Sequence, residues 1–223
     1  MEPYSMRLFL DSCVIKDIEA AVQTGFVEGL TTNPALLAKA DNTSLKLLQQ
    51  IASLIKGPVS FQVLSESAEE MVLQGKNLAK IAENVVVKVP VTPEGLKATR
   101  MLADKNIPVN MTLCFSPAQA LLAAKAGAAY VSPFIGRLED MGEDGLQLIE
   151  DIRLLYDYHG CETEIMAASI RNSKHAEGAA LRGADIATLP FKVFQSLALH
   201  PATDKGLADI VPHYGTLQQK LFT

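Results

Sequence analysis

The sequence has no tryptophan, no C-x-x-C pair and no run of five or more like charges. Each absence removes a class of protein. With a net charge of −5 and no clustered basic stretch, the chain lacks the electrostatic footprint of a nucleic-acid binder. No apolar run approaches the roughly 18 residues that a membrane-spanning helix needs. The opening MEPYSMRLFLD has no basic segment followed by an apolar one, so no secretory leader is expected. Cys13, Cys114 and Cys161 are odd in number and far apart, which fits a reducing compartment better than a disulfide scaffold. His159, His175, His200 and His213 form no i, i+4 pair beside a glutamate, so a zinc site has no support. These histidines and cysteines are assigned to packing or to the surface. Asn42-Thr43-Ser44 matches a glycosylation pattern that carries no meaning without secretion. The expectation is a soluble cytoplasmic protein that needs no metal, nucleotide or other cofactor.

What is present is ample core: 48 % of the 223 residues are hydrophobic and 20 % charged, as in globular proteins. Apolar, β-rich runs fall near residues 6–11, 28–32, 58–64, 84–90, 108–115, 129–135, 163–169 and 185–190. Between them lie segments with apolar residues at helical spacing, including 67–82, 94–105, 117–126 and 143–158. Thr92-Pro93-Glu94 and Ser116-Pro117 place a capping hydroxyl before proline at the first helical position. Gly127 and Gly183 mark helix ends. Strict β–α alternation predicts a parallel sheet, and eight units closing on themselves make a single (β/α)8 TIM barrel. The competing doubly wound sheet lacks its G-x-G-x-x-G after the first strand. No Pro/Gly/Ser-rich linker divides the chain. Residues 1–200 are therefore assigned to the barrel, and 201–223 to an extra C-terminal helical tail.

Side chains alternate along a strand, so polar residues within apolar runs can be sorted by parity. In the fourth strand Val85, Val87 and Val89 share one face, while Val86, Lys88 and Pro90 share the other. The fifth opposes Val109, Met111 and Leu113 to Asn110, Thr112 and Cys114. The third opposes Val59, Phe61 and Val63 to Ser60, Gln62 and Leu64, and the sixth Val131, Pro133 and Ile135 to Tyr130, Ser132 and Phe134. The apolar faces suit the helix layer outside the barrel. The mixed faces then point inward and gather Gln62, Lys88, Asn110, Thr112 and Ser132 around one cavity. Asp11 ends the first strand and Asn33 follows the second, so both lie at the C-terminal mouth, where barrels place their chemistry.

A lysine in an apolar slot is unusual. Burial disfavours its charged form and lowers its pKa toward the range useful for catalysis, and a free amine there attacks a carbonyl to form a Schiff base. Asp11 could move protons in such chemistry, and Gln62 and Thr112 could hold a water. Structural alternatives stand beside each reading. Lys88 could simply pair with Asp11, and Asn110 and Thr112 could satisfy one another. Arg137 could be a surface arginine bonded to Glu139 or Asp140. Ser169 and Arg171 follow the end of the seventh strand, where barrels often bind phosphate near a helix start.

The segments LTTNP (30–34), VVVKVPVTPEGLKA (85–98), VNMTLCFSPAQALLAAKAGAAYVSPFIGR (109–137) and AASIRN (167–172) together resemble the small transaldolase group, which includes the fructose-6-phosphate aldolases. The likeness runs from about residue 6 to 215. It implies a class I, Schiff-base aldolase-type barrel acting in the pentose phosphate pathway. A transaldolase moves a dihydroxyacetone unit from a ketose phosphate, such as sedoheptulose 7-phosphate, to glyceraldehyde 3-phosphate. By this resemblance Lys88 is the imine-forming lysine and Asp11 the proton-transfer carboxylate. Asn33, Asn110 and Ser132 hold the hydroxyls of the three-carbon unit, and Thr112 positions the catalytic water. Arg137, Ser169 and Arg171 form a phosphate clamp. The resemblance further implies sugar-phosphate substrates and a ring of five subunits or a stacked ten, with the C-terminal helix reaching onto a neighbour.

Four positions bear on which activity within the group the resemblance implies. Phe134, Asn110 and Ser132 side with transaldolase, because the aldolases carry tyrosine in place of Phe134. Gln62 sides with the aldolases, because transaldolases carry glutamate there. Three positions against one favour transaldolase, with fructose-6-phosphate aldolase as the alternative. A catalytically silent barrel that binds a sugar phosphate is the alternative of another class.

Overall fold

The computed structural model describes residues 6–39 and 44–214. The first five residues, Asn42 and Thr43 of the glycosylation match, and the tail beyond 214 lie outside these residues. Eight parallel strands close in chain order: β1 (Arg7–Asp11), β2 (Val27–Thr31), β3 (Val59–Gln62), β4 (Val85–Pro90), β5 (Val109–Cys114), β6 (Tyr130–Pro133), β7 (Glu164–Ala167) and β8 (Ile186–Pro190). Every strand lies inside a segment expected from its composition, apart from one leading residue of β2. Helices lie between successive strands around the outside, so the fold is a (β/α)8 barrel.

Local sequence explains where the helices begin. Thr92 accepts from Gly95 N–H at 2.9 Å and so opens the helix Pro93–Ala103, and Ser116 accepts from Gln119 N–H at 3.2 Å ahead of Pro117–Lys125. A capping oxygen satisfies one of the amides that a helix start leaves free. Gly127 and Gly183 follow their helices at φ +85 and +81, a conformation open to glycine at no steric cost.

The core divides by strand parity. Leu10, Leu30, Phe61, Val87, Met111, Val131, Ile165 and Leu189 face outward into the main hydrophobic cluster beneath the helices. Phe9, Met166 and Ile186 form a small separate cluster with Tyr130, which plugs the barrel floor. Gly29 on β2 makes room for it, since a Cβ there would meet the Phe9 ring. Polar side chains occupy the levels above.

The expected parity fails at one place. The alternation puts Leu113 on the outer face, yet it lines the mouth cavity, and Cys114 is buried in the outer core instead. The β5–β6 register shifts between Thr112 and Cys114, and Leu113 sits there at φ +61. This bulge adds a residue to the strand and reverses the facing of the residues beyond it.

Beyond the barrel, the helix Pro201–Ile210 and a short 3-10 turn (Val211–His213) bury no residue against the rest of the chain. Among the described residues no helix is long and apolar enough to cross a membrane.

Candidate active site

β4 carries Lys88 as its fourth residue, paired in register with Gln62 on β3 and Asn110 on β5. The valines at 85, 87 and 89 pack outward, so the lysine points into the barrel, where it is 4 % exposed. Its Nζ donates to the Thr32 carbonyl at 3.2 Å. Among the described residues Lys88 makes no ion pair, so the structural pairing with Asp11 is not what holds it.

Asp11, the last residue of β1, lines the same cavity. Its Oδ1 accepts from Thr31 Oγ1 at 2.8 Å, and that hydroxyl lies 2.7 Å from Thr188 Oγ1 on β8. Burial pushes the Asp11 carboxyl up, against the opposing effects of the Lys88 charge and of hydrogen bonds from Thr31 and Asn33. Burial likewise pulls the Lys88 amine below its ordinary value; Asp11 opposes this and the positive charge of Arg137 adds to it. Both groups are thus driven toward their neutral forms, the condition that a nucleophilic amine requires.

A cavity of about 450 Å³ opens above these residues. Asp11, Asn33, Gln62, Lys88, Phe134, Arg137, Ser169 and Arg171 all line it. Asn110, Thr112 and Ser132, also expected in the site, lie buried in the barrel wall and contribute nothing to that lining. Asn110 bonds Ser132 (2.7 Å, Ser132 donating) and Ser60 (3.2 Å, Asn110 donating), and does not pair with Thr112. Among the described residues the buried Thr112 hydroxyl has no partner. Asn33 also shapes its own loop, because its Oδ1 accepts from Leu36 N–H at 2.9 Å and caps the helix Pro34–Leu37.

The three residues expected to hold phosphate converge on one side of the mouth. Arg137, on the short helix α7 (Ile135–Asp140), stacks over the Phe134 ring at 5.1 Å and pairs with neither Glu139 nor Asp140. Arg171 pairs with Asp140 at 2.7 Å. Ser169 has φ +58, an uncommon conformation for a side-chain-bearing residue, and Leu113 in the same lining has φ +61. Uncommon backbone conformations cluster where surrounding structure over-determines them, often at functional sites. Among the described residues no cluster of His, Cys, Asp and Glu is placed to hold a metal.

Four contributors escaped the sequence reading: Thr31, Thr32, Ser60 and Thr188. Ser60 shares the inward parity of Gln62, so the alternation did carry that signal. Thr188 shows the same inward parity on β8, between the outward Ala187 and Leu189. Thr32 acts through its carbonyl, which residue type does not reveal.

A closed parallel barrel with an amine and a carboxyl at its C-terminal mouth falls in the class of (β/α)8 enzymes. The chain belongs to the Transaldolase/Fructose-6-phosphate aldolase family, which it matches over residues 8–222. It is 50 % identical over 216 residues to a probable transaldolase of Caulobacter vibrioides, covering 97 % of this chain and all of that relative. It is 52 % identical over 206 residues to a probable transaldolase of Leptospira biflexa, covering 92 % and 96 %. A probable transaldolase of Coprothermobacter proteolyticus is 46 % identical over 217 residues, covering 97 % and 100 %.

Proposed function

We propose that the protein is a transaldolase that carries a dihydroxyacetone unit on Lys88. The observation that carries this reading is the neutral-leaning Lys88 amine, inside the barrel and in the same cavity as Asp11. The amine adds to the ketose C2 carbonyl, and loss of water gives the protonated imine. Asp11, left a carboxylate by giving its proton to that departing water, takes the proton from the C4 hydroxyl; the C3–C4 bond breaks, its electron pair passes into the imine, and an aldose phosphate leaves. The resulting enamine attacks the aldehyde carbon of a second aldose phosphate, whose oxygen takes the proton held by Asp11. Water then hydrolyses the imine and frees Lys88. Sedoheptulose 7-phosphate or fructose 6-phosphate serves as donor.

Asn33, Asn110 and Ser132 serve the hydroxyls of the three-carbon unit, Asn110 and Ser132 from the wall behind the cavity. Arg137, Ser169 and Arg171 hold the phosphate, for which planar guanidinium groups are suited. Thr112 and Gln62 hold the hydrolytic water, and the unpartnered Thr112 hydroxyl supports its part in this. The assembly is a ring of five or a stacked ten, built from residues 1–200 as barrel and 201–223 as a tail seated on a neighbour. The outer helix supports that arrangement, since it leaves Leu207 and Ile210 exposed. A cytoplasmic location fits the three free thiols.

Sodium borohydride added with fructose 6-phosphate should raise the mass of the peptide that contains Lys88. Absence of that adduct would leave only the silent sugar-phosphate-binding barrel. Gln62 favours a second reading, fructose-6-phosphate aldolase. Release of glyceraldehyde 3-phosphate from fructose 6-phosphate should depend on added erythrose 4-phosphate. Equal release without an acceptor would make the protein an aldolase, and Phe134→Tyr would then change little.

A further inference from the structure

The two arginines of the proposed phosphate site come from separate segments, α7 and the loop 169–172, and a buried histidine joins them. His175 lies in the first turn of the helix α9 (Ser173–Leu181), where its backbone N–H donates to the capping Asn172 Oδ1 at 3.0 Å. Its side chain is 7 % exposed, and both ring nitrogens are engaged. Nδ1 accepts from the Arg171 backbone N–H at 3.3 Å, and Nε2 lies 2.8 Å from Glu139 Oε2. A ring that accepts at Nδ1 carries its proton on Nε2, where it donates to the carboxylate. Glu139 is two residues beyond Arg137, so the imidazole spans from one arginine's helix to the other arginine's backbone.

Other contacts join the same segments. Arg171 pairs with Asp140, but both side chains are more than half exposed, and such pairs contribute little. Gly136 lets α7 approach the loop, since a Cβ there would meet the Ser169 carbonyl and lie 2.8 Å from Arg171 Nε. That packing sets a distance of approach without fixing a direction. Where the two segments begin, the Ile135 N–H also donates to the Ala168 carbonyl at 3.1 Å, which fixes their roots; farther out, at Arg171 itself, the directional link is the buried ring of His175, and breaking it would leave the Arg171 N–H without its partner.

We propose that His175 is a positioning residue for phosphate recognition, fixing Arg171 relative to Arg137 so that both guanidinium groups meet one phosphate. It does not touch the substrate. The inference rests on the phosphate role given above to Arg137 and Arg171.

The test compares His175→Leu, His175→Gln and His175→Asn in the full-length protein, using fructose 6-phosphate and unphosphorylated fructose as donors. Asparagine offers an acceptor close to the position of Nδ1, glutamine an amide N–H donor close to that of Nε2, and leucine neither. His175→Leu should raise the ratio of the KM for fructose 6-phosphate to the KM for fructose by about tenfold, the equivalent of one lost buried hydrogen bond. Weaker inhibition by inorganic phosphate should accompany it. A bridge needs both of its ends, so His175→Asn and His175→Gln, each keeping one, should restore the ratio only in part. An unchanged ratio in a folded His175→Leu protein, or a wild-type ratio in either amide variant, overturns the proposal. Should the leucine variant not fold, the glutamine and asparagine variants decide between the same outcomes. Arg137→Leu and Arg171→Leu serve as the reference. If they also leave the ratio unchanged, the phosphate assignment itself is wrong; if they raise it while the histidine variants do not, only the role of His175 fails.

Discussion

Lys88 and Asp11 share one cavity and influence each other's protonation, yet they form no ion pair; the lysine donates instead to the Thr32 carbonyl. A close ion pair would stabilise both charges and keep the amine protonated. Held apart by its bond to the backbone, the amine stays poised to lose its proton. The carboxyl has its own support in Thr31 and, through it, Thr188.

The charge of Arg137 helps to hold the amine below its ordinary 10.5, after burial itself. Arg137→Leu should therefore move the pH midpoint of imine formation upward. The measurement is the rate of borohydride-trapped adduct with dihydroxyacetone across pH, a substrate without phosphate, so that anion binding plays no part. An unmoved midpoint would show that solvent screens the guanidinium from Lys88.

Asp11 gives a stability effect of determinate sign. Its folded value lies above the ordinary 3.8, so between the two the folded protein keeps a proton that the unfolded chain has released. Stability from this group is complete below 3.8 and is lost as pH rises through the folded value. Asp11→Asn should remove that slope in acid denaturation while lowering turnover about 10²–10⁴-fold. Lys88 acts at the other end of the scale. The unfolded chain binds its proton up to 10.5 and the folded protein releases it earlier, so stability rises with pH in that interval. Lys88→Met should abolish the alkaline slope and, by removing the charge that lowers the Asp11 value, extend the acid slope to higher pH. Identical urea midpoints for wild type and Asp11→Asn at every pH would contradict the burial assigned to the carboxyl.

Composition and period made the barrel legible, because outward Val85, Val87 and Val89 leave Lys88 no direction but inward. The same alternation kept Asn110 and Ser132 out of the outer core, although neither reaches the lining of the cavity. It failed at Leu113, where a bulge adds a residue that no residue type announces. It was silent on Thr32, whose carbonyl is a backbone group, and on the link from His175 to Glu139. That link depends on how a helix packs beside a loop well separated from Glu139 in the chain. Alternation along one strand carries no information about such a contact.

The barrel floor offers a packing test. Gly29 leaves the space that the Phe9 ring fills. Gly29→Ala should cost about 1–3 kcal/mol, because a filled interior accommodates an added methyl only through strain. Phe9→Leu in the same chain should recover part of that loss. Additive losses in the double variant, read from urea midpoints, would show that the ring and the glycine do not share one space.

Thr112 separates stability from turnover. Its hydroxyl is buried with no partner among the described residues, whereas its neighbours Asn110 and Ser132 bond each other. An unsatisfied buried hydroxyl costs about 1–3 kcal/mol, which an isosteric methyl avoids. Thr112→Val should therefore leave the urea midpoint unchanged or raise it. If the hydroxyl orients the hydrolytic water, the same variant should slow imine hydrolysis, and the Lys88 adduct should accumulate to a larger trapped fraction in the steady state. A destabilised protein with an unchanged trapped fraction would show that the hydroxyl is held by an interaction within the barrel and plays no part in the reaction.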